Sequence, residues 1–526
     1  MSELNTSDSF RNETFADFTN EEAASSFREA LSTARDMLGQ NHQLYIGGTW
    51  KDSSDNSTFN SVNPSNPNEI IGTFSRGTKE DAEDAVVAAQ NAFTSWSKTN
   101  YIDRANLLFK VADLMRERRH LFSAMMTLEV GKTWPEADGD TCEAIDFLDF
   151  YAREMLRYAS RTDEVTPSPL GDDNRLVYLP IGVGAVIPPW NFPVAILAGM
   201  ASVAIVTGNT VVLKPSSDSP MVGKMVTDLF IEAGLPDGVL NFLPASGPVG
   251  GEYLVTHPAI RFVSFTGSMA VGKGINEKAS HVAKDQIWLK RVIAEMGGKD
   301  ALLIDKDANL DLAAESIVLS AFGFQGQKCS ACSRALIHKD VYDDLIPKVV
   351  SLASQINVGN PENQSIKMGP VINENSFNKC NKYLEIGKSE AELLLGGNNL
   401  DIDGGWFLEP TIFGNVLPGS RLEQDEIFGP ILSLVKVDSY SHGVSVFNNT
   451  IYGLTGGYIG TRHLDDAIVD LHVGNLYLNR KITGALVDVE PFGGYNMSGT
   501  CSKAGGRDYL GLFLQMKSIS ERALPK

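Results

Sequence analysis

Cysteine is scarce in this chain of 526 residues: there are five, an odd number, at positions 142, 329, 332, 380 and 501. A disulfide framework needs an even and denser set, so a reducing compartment, the cytoplasm, is the expected location. Basic residues are also few, with 45 Lys and Arg against 65 Asp and Glu and a formal net charge of −20. Phosphate recognition needs clustered Lys and Arg, so neither a nucleic-acid partner nor docking on anionic lipid is expected. Long hydrophobic runs are missing. The longest, Phe192 to Val206, opens on Phe-Pro, includes Ser202 and is shorter than the roughly 20 residues of a membrane span. It reads as a buried helix. The first 40 residues carry more acid than base and no apolar segment, which predicts neither a signal peptide nor a transit peptide. A metal site is not expected either, because Cys329-x-x-Cys332 has no second ligand pair to complete a zinc site.

What is present is an ordinary globular balance, 43% hydrophobic and 21% charged, long enough for two to four domains at roughly 150 residues each. Residues 1–40 form a polar lead-in. A helix starts at Thr78, with Asp81 three positions on as its capping partner, and buries Ala82, Val86, Ala89 and Phe93 on one stripe. Amphipathic character continues through 103–130 and 141–158, so the first third is expected to be mainly helical. The stretch 162–175, with its prolines, glycine and acids, reads as a linker or crossing. From 176 to 304 short apolar runs alternate with helical stretches such as 220–233 and 269–279, the pattern of βαβ units around a parallel sheet. A helix over 308–325 leads to Cys329, and a second strand–helix series runs to about 480. The tail beyond 506 contains a strand-like segment suited to pairing with a sheet edge.

Three segments carry chemistry. Pro188-Pro189-Trp190-Asn191-Phe192-Pro193 follows a strand; its prolines stiffen the turn, and Asn191 is placed to present an amide to a reacting oxygen. An ordinary turn with Asn191 bonding its own backbone fits the segment equally. Glu295 ends an apolar strand before Gly297-Gly298, where a general base or a solvated strand-end carboxylate are both readings. Cys329 follows a helix and Lys328, a setting for a nucleophilic thiol; its pairing with Cys332 leaves a thiol-redox reading open. For nucleotide binding, a strand runs into Gly267-Ser268 and Gly272 before a helix whose first N–H groups suit a pyrophosphate. Another strand ends at Lys214, near enough in kind to serve a ribose hydroxyl.

In chain order, PPWNFP, VLKPS, FTGSxxxG, EMGGK, QGQKCS, EIFGP and PFGG resemble the aldehyde dehydrogenase superfamily from about residue 40 onward. Within it, FGFQGQKCSACSR together with NRKITGALVDVEPFGGYNMSGT is similar to the 1-pyrroline-5-carboxylate dehydrogenase branch. The resemblance implies an α/β fold with a Rossmann-type NAD-binding domain (41–159 and 181–298), an α/β catalytic domain (299–490) and a small bridging element (160–180 and 491–526). It implies Cys329 as nucleophile, Asn191 as oxyanion donor and Glu295 as the base that activates water. Around NAD it places Pro189, Trp190, Lys214, Ser217, Gly267, Ser268, Gly272, Met296, Gly297, Glu426 and Phe428. Around the substrate it places Phe192, Lys328, Ser330, Gly484, Ala485, Phe492 and, at the entrance, Glu143.

The implied reaction is oxidation of L-glutamate γ-semialdehyde to glutamate in proline breakdown, with another semialdehyde or a broad aldehyde range as the alternative. Release of the thioester to CoA, or a non-catalytic role for the fold, would sit poorly with Glu295 and Cys329 both present. Ser217 stands where many NAD-preferring relatives carry glutamate. With no carboxylate there to repel a 2′-phosphate, NADP is admitted beside NAD. The implied partners are a second copy of the chain, through 160–180 and 506–526, and a proline dehydrogenase that supplies the substrate.

Overall fold

A computed structural model describes residues 9–160 and 165–522. Its first sheet runs, in spatial order, through Arg291–Glu295, Ile260–Thr266, Val183–Ile187, Thr210–Leu213, Leu240–Phe242, Leu44–Ile46 and Thr49–Lys51. The first five are parallel. Counted along the chain from Val183–Ile187, their spatial order is 3-2-1-4-5, the doubly wound order of dinucleotide-binding sheets. The chain therefore reverses direction across the sheet between Val183–Ile187 and Ile260–Thr266. A ligand crevice belongs at the carboxyl ends of those two strands, which is where PPWNFP and Gly267-Ser268 emerge.

Helices cover both faces. Ala195–Val206, apolar on all sides and buried throughout except Ile196, packs on the central strands, as a helix hydrophobic all round must. Pro220–Ala233 lies beside it, and Lys79–Trp96 covers the opposite face. The capping box at the start of Lys79–Trp96 is formed as expected: Asp81 N donates to Thr78 Oγ1 at 3.2 Å and Thr78 N to Asp81 Oδ2 at 2.9 Å. The helical run 103–130 is broken at Arg118 into Tyr101–Glu117 and Arg119–Val130. The next helix begins earlier than expected, at Trp134, with Pro135 in its first turn.

The expectation of a mainly helical first third fails over residues 40–75, which form strands. Gln40–His42, Thr58–Asn63 and Asn66–Ser75 make a separate three-stranded sheet. Leu44–Ile46 and Thr49–Lys51 form a hairpin on the edge of the main sheet. Its turn, Gly47-Gly48, has φ of 60° and 92°, the two positive values that a two-residue turn matching strand twist requires.

The second sheet runs Glu392–Leu395, Thr411–Gly414, Ile431–Val437, Arg334–His338, Ala301–Ile304, Thr455–Ile459, Asn475–Leu478, and only its first strand is antiparallel. Leu310–Phe322 and Lys339–Ala353 cover one face, Glu374–Glu390 and Tyr440–Asn448 the other. The chain crosses from the first sheet to the second over Met296 to Asp300. Asp173–Pro180 and Leu514–Glu521 pair antiparallel in a two-stranded ribbon. Within the stretch read as a linker, residues 162–164 lie outside the described residues. At the other end of the chain, Glu21–Asp36 buries Ala24, Phe27, Leu31 and Ala34, and Phe27 stacks on Trp134.

Candidate active site

Cys329 sits in a loop that the backbone can reach only under strain. After Leu310–Phe322 the chain passes through Phe324, Gln325 and Gly326 at φ of 46°, 56° and 68°. For the two residues with side chains this conformation costs on the order of 1–3 kcal/mol each. Buried side chains hold it. Gln325 Nε2 donates to Gly131 O at 3.1 Å and Pro370 O at 2.7 Å, and Gln327 Oε1 accepts from Ile372 N at 3.0 Å. Position 326 must be glycine, since a Cβ there would meet Gly429 O at 2.4 Å.

The half-buried Cys329 thiol is pushed up well above the ordinary thiol range, first by burial and then by the charges of Asp300, Glu295, Glu426 and Glu143. It therefore rests as the neutral thiol. Asn191, 4% exposed, donates one amide hydrogen to Gln327 O at 3.1 Å. The asparagine is thus tied to the Cys329 loop, two residues before the thiol, and its second amide hydrogen has no partner among the described residues.

Glu295 closes the strand Arg291–Glu295. Its carboxyl is pushed up to about 7, chiefly by burial, against the pull of hydrogen bonds from Ser502 and Gly494 and the charge of Lys503. A carboxylate in that range accepts a proton near neutral pH.

The cofactor-side residues gather at the crevice. Gly267 N donates to Glu295 O at 3.1 Å, and Ser268 caps Met269–Ser280, leaving the helix start facing the crevice. A Cβ at Gly272 would lie 2.4 Å from Met296 Sδ, so helix and crossing touch there. Lys214 is buried, its Nζ on Pro215 O at 3.0 Å, and is pushed down to about 8 by burial. Ser217 is exposed, and the carboxylate that follows it, Asp218, interacts with the Lys214 charge. Glu426 Oε1 accepts from Gly298 N at 3.1 Å, and a Cβ on Gly297 would collide with it at 1.8 Å. Phe428, at φ 61°, meets Trp190 edge-on at 5.6 Å; Pro189 beside Trp190 is half-buried. Cys329, Lys328, Glu426, Phe428 and Gly298 line a single cleft. The nucleophile and the cofactor side therefore share one opening.

The substrate-side residues are less tightly joined. Lys328 does not point to solvent: its ammonium pairs with Glu136 at 2.7 Å. Ser330 is buried, and its carbonyl accepts from Thr455 Oγ1 at 3.4 Å. Gly484, at φ 80°, is exposed and Ala485 half-buried; among the described residues no hydrogen bond joins them to Ser330. Lys481 Nζ stands 3.7 Å from where a Gly484 Cβ would be. Phe192 packs beneath the buried Lys132 ammonium, 3.9 Å from its ring, and meets Phe324 edge-on; Phe492 pairs with Ala504. Glu143 is pushed up to about 8 by burial and by Asp140.

The sequence reading missed Ser502 and Gly494, which bind Glu295 across about 200 residues of chain. It also missed Glu136, the Lys132–Asp140 ion pair at 2.7 Å, each side chain fully buried, and Lys379, whose charge lowers Glu426. None of these lies in a local pattern. The five described cysteines are all free, Cys332 is buried with its Sγ against Arg334 O, and no cluster of metal-binding side chains occurs among the described residues.

The description "Aldehyde dehydrogenase family" matches residues 50–519. A 1-pyrroline-5-carboxylate dehydrogenase of Bacillus subtilis is 52% identical over 514 residues, covering 97% of this chain and 99% of the relative. One of Anoxybacillus flavithermus is 51% identical over the same shares. The crystal structure of 1-pyrroline-5-carboxylate dehydrogenase from Thermus with bound NAD superposes with a TM-score of 0.96 at 48% identity, covering 98% of this chain and 99% of that one. A proline utilization A structure from Bdellovibrio bacteriovorus is 41% identical with a TM-score of 0.95, and only 54% of its longer chain is covered. The fold agrees with these matches, and the chain belongs to the aldehyde dehydrogenase family.

Proposed function

We propose that the protein is an NAD-dependent dehydrogenase that oxidises L-glutamate γ-semialdehyde, the ring-opened form of 1-pyrroline-5-carboxylate, to L-glutamate. The observation that carries this reading is identity near one half, over almost the whole chain, to relatives named for that substrate. NAD binding is supported by the helix start at Ser268, by the buried Lys214 and Glu426, which suit ribose hydroxyls, and by Phe428 beside Trp190. When bound, NAD supplies the hydride acceptor. Asp218 beside Lys214 favours NAD over NADP, because a carboxylate near the 2′ position repels a phosphate.

The chain's own residues account for the remaining chemistry. Cys329 sulfur bonds to the aldehyde carbon while its proton leaves, and Glu295 is the nearby acid–base group of suitable range. The carbonyl oxygen becomes an alkoxide held by the spare amide hydrogen of Asn191. After oxidation the acyl group is carried on Cys329. Glu295 then takes a proton from water as the water oxygen bonds to the acyl carbon, the carbon–sulfur bond breaks, and glutamate leaves. The Ser330 hydroxyl and backbone N–H groups at Gly484 and Ala485 suit the substrate's α-carboxylate, with Lys481 adding positive potential now that Lys328 is committed to Glu136. Replacing Ser330 by Ala tests this: KM for the semialdehyde should rise about tenfold or more while KM for propanal holds.

A homodimer is part of the same reading, supported by the ribbon Asp173–Pro180 with Leu514–Glu521, which leaves Met516 60% exposed. A cytoplasmic location is supported by the free cysteines. A proline dehydrogenase partner is supported by the likeness to part of a proline utilization A chain.

A further inference from the structure

The carboxylate of Glu295 ends in a built cradle. Oε1 accepts from Ser502 Oγ and Oε2 from Gly494 N at 3.2 Å. Side chains on the neighbouring glycines would intrude: a Cβ at Gly493 would stand 2.9 Å from Oε1, and one at Gly499 2.8 Å from Oε2. The segment that supplies these groups is stitched to the strand that carries Glu295. Met296 N donates to Ser498 O at 2.7 Å, Thr500 N to Ala294 O at 2.9 Å, and Ala294 N to Thr500 Oγ1 at 3.1 Å. Lys503 fixes the other side, its Nζ donating to Gly493 O at 2.8 Å and Asn475 Oδ1 at 3.1 Å. Ser502 is 5% exposed, so water is a poor substitute for its hydroxyl.

We propose that Ser502 is a positioning residue for the hydrolytic half of the reaction: its hydroxyl holds the Glu295 carboxylate in one pose and tunes its strength as a base. This rests on the reading of Glu295 as the base. A hydroxyl that donates to a carboxylate favours the ionised form and so opposes burial. The other charged and titratable groups facing Glu295 are Lys503, which also favours ionisation, and Cys329 and Tyr509, both of which feel its charge. None of them donates a hydrogen bond to it among the described residues, and the backbone N–H groups of Gly494 and Ser502 that do are already engaged, so loss of the Ser502 hydroxyl leaves the carboxyl one donor short and holding its proton to higher pH.

The test measures steady-state kcat against pH, and the first-turnover burst of NADH, for the full-length wild type, Ser502→Ala, Ser502→Gly and Ser502→Thr. With either hydroxyl-free variant the acid limb of kcat should move up by about one pH unit, a tenfold change in proton affinity. The burst should keep its amplitude, KM should stay unchanged, and Ser502→Thr should restore the limb. An acid limb that stays in place overturns the proposal. So does a Ser502→Thr variant indistinguishable from Ser502→Ala, since packing would then explain the effect. Glu295→Gln separates this claim from the one beneath it. If that variant turns over repeatedly at the wild-type rate, Glu295 is not the base. If it stalls after one NADH per site while Ser502→Ala keeps the wild-type pH profile, only the role of Ser502 falls.

Discussion

On the proposed mechanism Cys329 meets two opposed demands, because the burial that would shield a reactive thioester from stray chemistry also holds the thiol in its unreactive protonated form. Glu295, pushed up to about 7, reconciles them as a base that titrates in the working range. Replacing Cys329 by Ala should remove dehydrogenase activity by at least about a thousandfold with NAD binding retained, read by protein-fluorescence titration. Replacing Glu295 by Gln should leave a burst of one NADH per site and lower steady turnover by roughly 10²–10⁴-fold, as rapid-quench and steady-state assays on one preparation would show. At this scale Cys329, Glu295 and Asn191 were visible as candidates because each stands in a short stretch of unusual residues. Ser502 was not. Its serine in SGTCSK carries no local signal, and its meaning comes from a strand that lies far away in the sequence.

At the scale of elements, glycine and capping chemistry explain most of what positions the site. Gly297 lets the crossing pass under Glu426, so Gly297→Ala, with its 1.8 Å collision, should raise KM for NAD about tenfold or more, near 1.4 kcal/mol, and leave the aldehyde KM alone. The box at Thr78 closes the helix that covers one sheet face; Thr78→Ala should cost about 1 kcal/mol, measurable by urea unfolding, with no effect on KM. The helices Lys79–Trp96 and Pro220–Ala233 were readable because their apolar stripes and start signals are local. The strands between residues 40 and 75 were not. Three of the five are only three residues long, and their partners, Phe242 for Tyr45 among them, are fixed by tertiary pairing rather than by alternation along the chain. The same holds for the start of Asp173–Pro180, whose residues 173–175 read as part of a crossing until Leu514–Glu521 is laid beside the strand.

Over the whole molecule, the charge of −20 coexists with carboxyls held protonated inside. Glu129 and Glu295 are pushed up to about 7, Glu143 to about 8 and Asp146 to about 6, all chiefly by burial. Below the ordinary carboxyl range both folded and unfolded chains hold these protons. Between that range and each group's own raised value the folded chain holds the proton and the unfolded chain does not, so each group withdraws stability as pH rises through that window. The melting temperature of the cofactor-free protein should therefore fall by a few degrees from pH 5 to pH 8, and scanning calorimetry would show it. Cys329, Glu426 and Phe428 line one cleft, and the motifs QGQKCS and EIFGP had marked those residues as candidates, although the proposed role of the loop at Gly484 rests on likeness more than on contacts. The most direct measurement is NADH formation from 1-pyrroline-5-carboxylate beside propanal, succinate semialdehyde and betaine aldehyde, with NAD and NADP in parallel. The account predicts the highest kcat/KM for 1-pyrroline-5-carboxylate, by about tenfold or more, and NAD above NADP. Equal or faster oxidation of an aldehyde lacking the α-carboxylate would contradict it.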